Sequence, residues 1–500
     1  MGFTRRALSD FWSRRLIERI YFALIAIALL WAMANCVYVY LVWDGTRGYR
    51  IETAVWLLAL MLLPVAVSGK HIERFPSLSL TQQRTIAGVA IALWLLTFLP
   101  LLNLPFLSDD YVFLDLYRQF TDIIVAPQFF RPLYAAVFWA LRRVGDGSPL
   151  PFHIMSLLLH GVSAALVYGC ARRLFDSATA ALVCFVSFLL NPLQLEATLW
   201  PSGLQELLWT TAILAALRSY IGERVLSVPR LALTIGFVCC GLLSKETAIC
   251  FILLLPAADL VFYRLQRGSL LPIAYGTFAA TCAGYFWLRG QFATMEAGLL
   301  FVPSRFFLKQ FLSTPYKFFV QPWNGVAINV PVLIPCLVSL FVLALLFIRI
   351  VVQGASPRVL IGPVVIVIAT LPVYSYFFVG ADLIAARYIY FASIGWALLL
   401  AQLLGTIRSR ALFAAAATGV ALWSAVWLNL NLRPWRVAGD VVTAMRAGLK
   451  RGEPADRTIA DWEAMHATKL QLKNGAPYQH QGVGIFINGY DQFKRITLEP

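Results

Sequence analysis

Apolar runs of membrane-spanning length recur along this chain, separated by short polar segments. About thirteen of them, each of roughly 17–25 residues, match the thickness of a hydrocarbon layer. Their limits are 20–43, 52–68, 86–107, 151–172, 178–194, 204–221, 231–246, 248–264, 271–289, 328–350, 359–379, 387–405 and 411–429. Between residues 108 and 150 the rhythm changes. Asp115, Arg118, Gln119 and Asp122 recur at the spacing of one helical face, with Phe113, Leu116, Tyr117, Phe120 and Ile124 on the other. A second such stretch begins at Pro132 and sets Leu133, Val137, Leu141 and Val144 along one face. Both are predicted to be amphipathic helices lying on the membrane surface. Residues 290–327, with "SRFFLKQFLSTPYKFFVQPW", read as an aromatic, basic, interfacial loop. From about 430 to 500 the chain is polar and mixed in charge, and "GVGIFING" has the pattern of a strand and turn. No internal repeat is seen.

Composition agrees with this reading. Of 500 residues 60% are hydrophobic and 13% charged, and the mean hydropathy is +0.73. Soluble globular proteins carry about twice that charge. The predicted fold is an all-α polytopic membrane protein, with the first segment a retained span rather than a cleaved leader. The net charge of +16 tests the order of the loops, because cytoplasmic loops collect Lys and Arg. With Arg5, Arg6, Arg14, Arg15 and Arg19 inside, the later inner loops hold Lys70, Arg74 and Arg84; Arg172 and Arg173; Arg218, Arg224 and Arg230; Arg264 and Arg267; Arg349 and Arg358; Arg408 and Arg410. Every inner loop is basic, and an odd number of spans puts the C-terminus outside. A bacterial inner membrane is the expected location, N-terminus cytoplasmic and C-terminus periplasmic.

This topology puts Asp109, Asp110, Glu196, Glu206, Lys245, Glu246, Arg305, Lys309, Lys317, Asp382 and Arg387 on the external side. External positive charge is not required by topogenesis, and charge beside hydrocarbon is costly. Asp109–Asp110 ends an apolar run; adjacent carboxylates repel, so one pKa should rise, and one of the pair is a candidate general base. The bland alternative is that Ser108 or Asp109 caps the next helix. In "GLLSKETAIC", Lys245 would meet an anion such as phosphate with Glu246 orienting it, or the two form an ion-paired turn. In "NPLQLEATLWPSGLQELLW", Glu196, Gln205 and Glu206 would hold sugar hydroxyls with Trp200 or Trp209 stacking on the ring, or the segment is an interfacial loop with belt tryptophans. In "ADLIAARYIYFAS", Arg387 either binds a lipid phosphate or snorkels to head groups. His153 and His160 stand two helical turns apart without nearby carboxylate or thiol ligands, so packing or hydrogen bonding is expected. The eight cysteines form neither a disulfide framework nor a zinc motif. No Walker A motif or dinucleotide fingerprint is present, and no nucleic-acid partner is expected.

Taken in order, "SDD", "FRPLYAAVFWAL", "GSPLPFHIMSLLLHGVSAALVYGCARRLF", "NPLQLEATLWPSG", "LLSKETA" and "ARYIYFAS" resemble GT-C glycosyltransferases. The nearest branch is the protein O-mannosyltransferase-like one, which includes the transmembrane and tetratricopeptide-repeat mannosyltransferases. The resemblance covers roughly Leu104 to Leu400. It implies a GT-C-like transmembrane catalytic domain at 86–429, with external loops 108–150 and 290–327. Before it come a cytoplasmic segment and two extra spans at 1–85, and after it a small extracytoplasmic domain at 430–500. The implied reaction moves a sugar from a polyprenyl-phosphate carrier to an acceptor hydroxyl, with inversion. Asp109 or Asp110 would be the base. Lys245, Arg131 and Arg387 would stabilise the leaving phosphate, and Glu196, Glu206, Glu246 and Gln205 would line the sugar or acceptor site. Some members use a divalent metal ion and others do not, so a metal stays open. The sequence departs from the family at Asn191, where histidine is common, and at "GLQE" after Ser202, where "GR" is usual. The repeats are absent, so a glycan or glycolipid acceptor stands beside a protein one. A lipid-linked sugar flippase is the alternative; such transporters place charge near the bilayer midplane and show repeated halves.

Overall fold

A computed structural model describes residues 75–123, 129–222, 225–259, 262, 270–292, 361–373, 386–405, 409–452 and 490–498. The expected spans at 20–43, 52–68 and 328–350, the expected loop 290–327 beyond residue 292 and the "GVGIFING" strand lie outside the described residues, as do Arg305, Lys309, Lys317 and Asp382. Among the described residues the regular elements are all helical.

The first three are α1 (Leu80–Phe98), α2 (Asp109–Leu116) and α3 (Pro132–Gly145). Next come α4 (Leu150–Phe175), α5 (Ala178–Leu189), α6 (Leu195–Leu199), α7 (Leu204–Tyr220) and α8 (Val228–Ser244). The remainder are α9 (Phe251–Ala258), α10 (Leu270–Phe292), α11 (Ile361–Thr370), α12 (Ala392–Leu404), α13 (Arg410–Asn431), α14 (Arg433–Lys450) and α15 (Tyr490–Leu498). Among the described residues, Leu80–Leu101 and Leu150–Phe175 are long and apolar enough to cross a membrane, and α5 with the following Pro192–Leu199 makes a third if that bent pair is one span. Leu93, Leu96, Ile154, Leu158 and Val162 are exposed on α1 and α4, which suits lipid-facing surfaces of an integral membrane protein.

Local chemistry sets several of these boundaries. Ser79 starts α1 with a reciprocal capping box, its hydroxyl accepting from the Gln82 N–H at 3.2 Å and the Gln82 side chain accepting from its own N–H at 2.9 Å. The expected span 178–194 is interrupted, because Pro192 has no N–H to continue the ladder. Asn191 caps the new turn by accepting from the Leu193 N–H at 2.9 Å. The chain bends there by 49°. The long amphipathic helix expected to run past Asp122 is also shorter: α2 ends at Leu116, and a separate 3-10 turn follows at Phe120–Ile123.

The core forms where α4 packs on α5 and α7, α7 on α8, and α12 on α5 and α11. Ser163 and Thr211 share a hydrogen bond of 2.8 Å across the α4–α7 contact. Such pairing holds helices together where apolar burial gives no net drive in lipid. The two histidines serve this core. His153 Nε2 donates to the Leu104 carbonyl at 2.9 Å. His160 donates through Nε2 to the Leu189 carbonyl at 3.3 Å, which leaves Nδ1 to accept from the Tyr390 hydroxyl at 2.6 Å. Neither is part of a metal-ligating group; among the described residues no cluster of three or more His, Cys, Asp or Glu side chains is placed to hold a metal ion.

Candidate active site

The two aspartates occupy different environments. Asp110 is wholly buried, whereas Asp109 is partly exposed. Asp110 Oδ2 accepts from the Leu107 N–H at 2.8 Å. Its Oδ1 accepts from the Ser202 N–H at 2.7 Å and the Ser202 hydroxyl at 2.5 Å. Burial nevertheless dominates, and pushes the Asp110 carboxyl from 3.8 up to about 8; the three hydrogen bonds pull the other way, and the Asp109 charge adds to the rise. The expected rise in one pKa of the pair therefore falls on Asp110.

Asp110 thus clamps the turn that carries Asp109 to the Pro201–Gly203 turn. Between them Ser108 has φ of 49° and ψ of −119°, a positive-φ conformation that costs a non-glycine residue of order 1–3 kcal/mol. Ser108 precedes α2 but its hydroxyl makes no cap; it lies 3.4 Å from Asp109 Oδ1. The Leu107 carbonyl accepts from Trp200 Nε1 at 3.0 Å, which adds a second tie. Gly203 makes the third: a side-chain carbon there would stand 2.6 Å from the Glu196 carbonyl oxygen. Only glycine lets this turn approach α6 so closely.

The remaining candidates converge on the same end of the bundle. Glu206 lies in the first turn of α7, Lys245 directly follows α8, Arg289 is in the last turn of α10, and Arg387 sits in the 3-10 turn Ala386–Ile389 before α12. Arg131 donates through Nε and Nη2 to both oxygens of Glu246, at 2.9 and 2.5 Å, and through Nη1 to Gln205 Oε1 at 2.5 Å. Lys245 pairs with Glu206, whose other oxygen accepts from Trp209 Nε1. Arg387 pairs with Glu196 through its guanidinium, and its backbone N–H donates to the same carboxylate at 2.9 Å. The Tyr388 ring links the last two pairs, with Lys245 Nζ 4.5 Å and Arg387 Cζ 4.5 Å from its centroid.

Two expectations need correction. Glu246 does not orient Lys245; it pairs with Arg131 instead, while Lys245 turns to Glu206. Trp200 and Trp209 offer no free face to a sugar. The first is buried beneath Arg387 at 4.4 Å, and the second is buried and stacked on Phe391 at 4.9 Å. Arg131, Lys245 and Arg387, expected to meet phosphate, are each paired with a carboxylate in the structure. Gln205 and Glu206 supply two of these partners, to Arg131 and Lys245.

Sequence reading missed Arg289 and Tyr388. Arg289 is 7% exposed and lies 3.7 Å from Glu246 Oε2, beyond hydrogen-bond range, and its Nε and Nη1 have no hydrogen-bond partner. Its signal was present: a positive charge ending an apolar run on the predicted external side. It is also the last residue of the expected span 271–289. Tyr388 was hidden among the aromatic residues of "ARYIYF".

No family model matches the chain. A protein O-mannosyl-transferase of Caenorhabditis elegans is 25% identical over 36% of this chain. The Drosophila melanogaster protein O-mannosyl-transferases Tmtc2 and Tmtc1 are 33% and 32% identical, each over 26% of this chain. These matches span only 26%, 15% and 15% of the relatives' own lengths. Among solved structures, ArnT from Cupriavidus metallidurans in the apo state aligns with a TM-score of 0.40 and 14% identity, covering 83% of this chain and 75% of that one. The same protein bound to undecaprenyl phosphate aligns with a TM-score of 0.37 and 16% identity, over 73% of this chain and 80% of that one.

Proposed function

We propose that this chain is a membrane glycosyltransferase that moves a sugar from a polyprenyl-phosphate carrier to an acceptor hydroxyl at the extracytoplasmic face. The observation that carries the reading is the division of labour between the aspartates. A partly exposed Asp109 is held by a buried, hydrogen-bonded Asp110 at the end of the bundle where the ion pairs gather. The sequence similarity to protein O-mannosyl-transferases supports the same reaction class.

In this reading Asp109 is the general base and Asp110 a positioning residue. An acceptor hydroxyl gives its proton to an Asp109 oxygen as its own oxygen attacks the anomeric carbon. The bond from that carbon to the phosphate oxygen breaks, and its electron pair leaves with the polyprenyl phosphate. Attack opposite the leaving group inverts the anomeric centre. The Arg131–Glu246, Lys245–Glu206 and Arg387–Glu196 pairs are fixed dipoles and charges, arranged before the reaction, that favour developing negative charge on the phosphate. Glu196, Glu206, Glu246 and Gln205 act on the sugar through the cations they orient.

The flippase reading is disfavoured by placement. The charged pairs sit at helix ends on one side of the bundle rather than midway along the spans. The test is transfer of label from a panel of radiolabelled polyprenyl-phosphate sugars to a membrane extract by purified protein in lipid. Label should leave the carrier for another molecule with at least one donor. Movement of intact donor between leaflets, with no label leaving the carrier, would instead establish the flippase.

A further inference from the structure

We propose that Arg289 is the residue that grips the donor's phosphate. This rests on the reading that the donor is a polyprenyl-phosphate sugar, and it replaces the contacts expected from the sequence. The argument begins with what each cation already does. All three nitrogens of the Arg131 guanidinium donate to Glu246 or Gln205. Lys245 is paired with Glu206. Arg387 is paired with Glu196 and donates from Nη2 to the Tyr388 hydroxyl at 2.8 Å. To bind an anion, each would have to surrender a buried carboxylate, leaving a second charge without its partner.

Arg289 is less fully committed: its guanidinium lies 3.7 Å from Glu246 and meets the Tyr285 hydroxyl, but it has donors to spare. Nε and Nη1 are buried without a hydrogen-bond partner, and the nearest carboxylate, Glu246, already receives the Arg131 fork. An arginine in the last turn of a helix commonly turns back to cap its final carbonyls. That would show as hydrogen bonds from these atoms, and none is present. Buried polar groups are otherwise almost always satisfied, so two open guanidinium donors in one place point to a partner that comes and goes.

Charge balance gives the partner's sign. Among the described residues of this cluster Arg131, Lys245, Arg289 and Arg387 face Glu196, Glu206 and Glu246, so one positive charge is in excess there. A buried charge is stable only with a counter-charge. A phosphodiester supplies one negative charge in the bound donor. When the sugar–oxygen bond breaks, the phosphate keeps the electron pair and becomes a doubly charged monoester. The attraction of Arg289 is therefore stronger after transfer than before, the condition for stabilising the transition state. The position of Arg289 at the end of α10 suits a phosphate at head-group depth with its chain in the bilayer.

The experiment measures binding rather than turnover. Full-length protein in lipid nanodiscs is titrated with undecaprenyl phosphate and, separately, with inorganic phosphate. Wild type, Arg289→Gln and Arg289→Lys are compared, each checked for folding by thermal unfolding and size exclusion. Arg289→Gln should weaken undecaprenyl phosphate binding at least about tenfold, as expected for a lost charge-assisted hydrogen bond to phosphate. Arg289→Lys keeps the charge but loses the donor geometry, and should fall between. If Arg289→Gln does not fold, an unchanged affinity in Arg289→Lys overturns the proposal. Wild-type affinity in folded Arg289→Gln also overturns it, and leaves the transferase reading standing. Binding of inorganic phosphate without undecaprenyl phosphate would show a free-anion site and overturn both. Binding of neither would do the same.

Discussion

Asparagine at position 110 keeps the volume of the aspartate but cannot titrate, which separates two effects of this buried group. The first is hydrogen bonding. The amide oxygen can take over the Ser202 donors, but the amide NH2 then faces the Leu107 N–H now held at 2.8 Å. One buried N–H left without an acceptor costs about 1–3 kcal/mol. The second is protonation. In the folded protein the Asp110 carboxyl holds its proton up to about 8, against 3.8 when exposed. Between those values the folded state binds a proton that the unfolded state has released, so stability falls as pH rises, by about 1.4 kcal/mol per unit. From pH 5 to pH 7 the wild type loses about 3 kcal/mol through this group, and Asp110→Asn loses nothing at this position. At pH 5 the variant should therefore be less stable by about 1–3 kcal/mol, and by pH 7 the gap should close or reverse. Thermal unfolding of both proteins in the same detergent at pH 5, 6 and 7 reads this directly, because the contribution of every other titrating group cancels in the difference. A difference that stays constant over that range would refute the reasoning. It would mean that the Leu107 and Ser202 donors outweigh burial and keep Asp110 ionised.

Other perturbations test the frame around the pair. Glu206→Gln leaves Lys245 buried without its counter-charge and should destabilise by about 3–5 kcal/mol, much of it recovered in Glu206→Gln/Lys245→Met, as chemical unfolding of the single and double variants would show. Gly203→Ala places a methyl against the Glu196 backbone, which cannot yield as a side chain can. It should cost about 1–3 kcal/mol in thermal unfolding and lower transfer by shifting the Glu196–Arg387 pair. Trp200→Phe keeps an aromatic face under Arg387 but removes the donor to the Leu107 carbonyl, and should cost about 1 kcal/mol by the same measurement.

Much of the bundle was legible because periodicity and length are properties of the chain itself. The helix expected at 151–172 is α4, and those at 204–221 and 271–289 are α7 and α10, within a few residues. Part of the candidate site's grouping was also legible: a charge that survives beside an apolar run needs a reason, and Arg131, Glu196, Gln205, Glu206, Lys245, Glu246 and Arg387 form pairs at helix ends on one side of the bundle. Their pairing was not legible. Lys245 and Glu246 are neighbours in sequence but diverge, because α8 ends at Ser244 and the extended backbone at Lys245 sends successive side chains apart. The break at Pro192 could be foreseen from the missing N–H, yet the apolar character of 178–194 masked it. Arg289 was lost at a span boundary, where sequence patterns are least sharp.

The most direct measurement of the central claim is single-turnover sugar transfer by Asp109→Asn and Asp110→Asn beside wild type, using the donor identified from the panel and equal amounts of folded protein. Asp109→Asn should lose at least about 100-fold in rate with unchanged thermal stability, as removal of a general base implies. Asp110→Asn should lose activity together with the stability change described above. Transfer by Asp109→Asn at the wild-type rate would contradict the account.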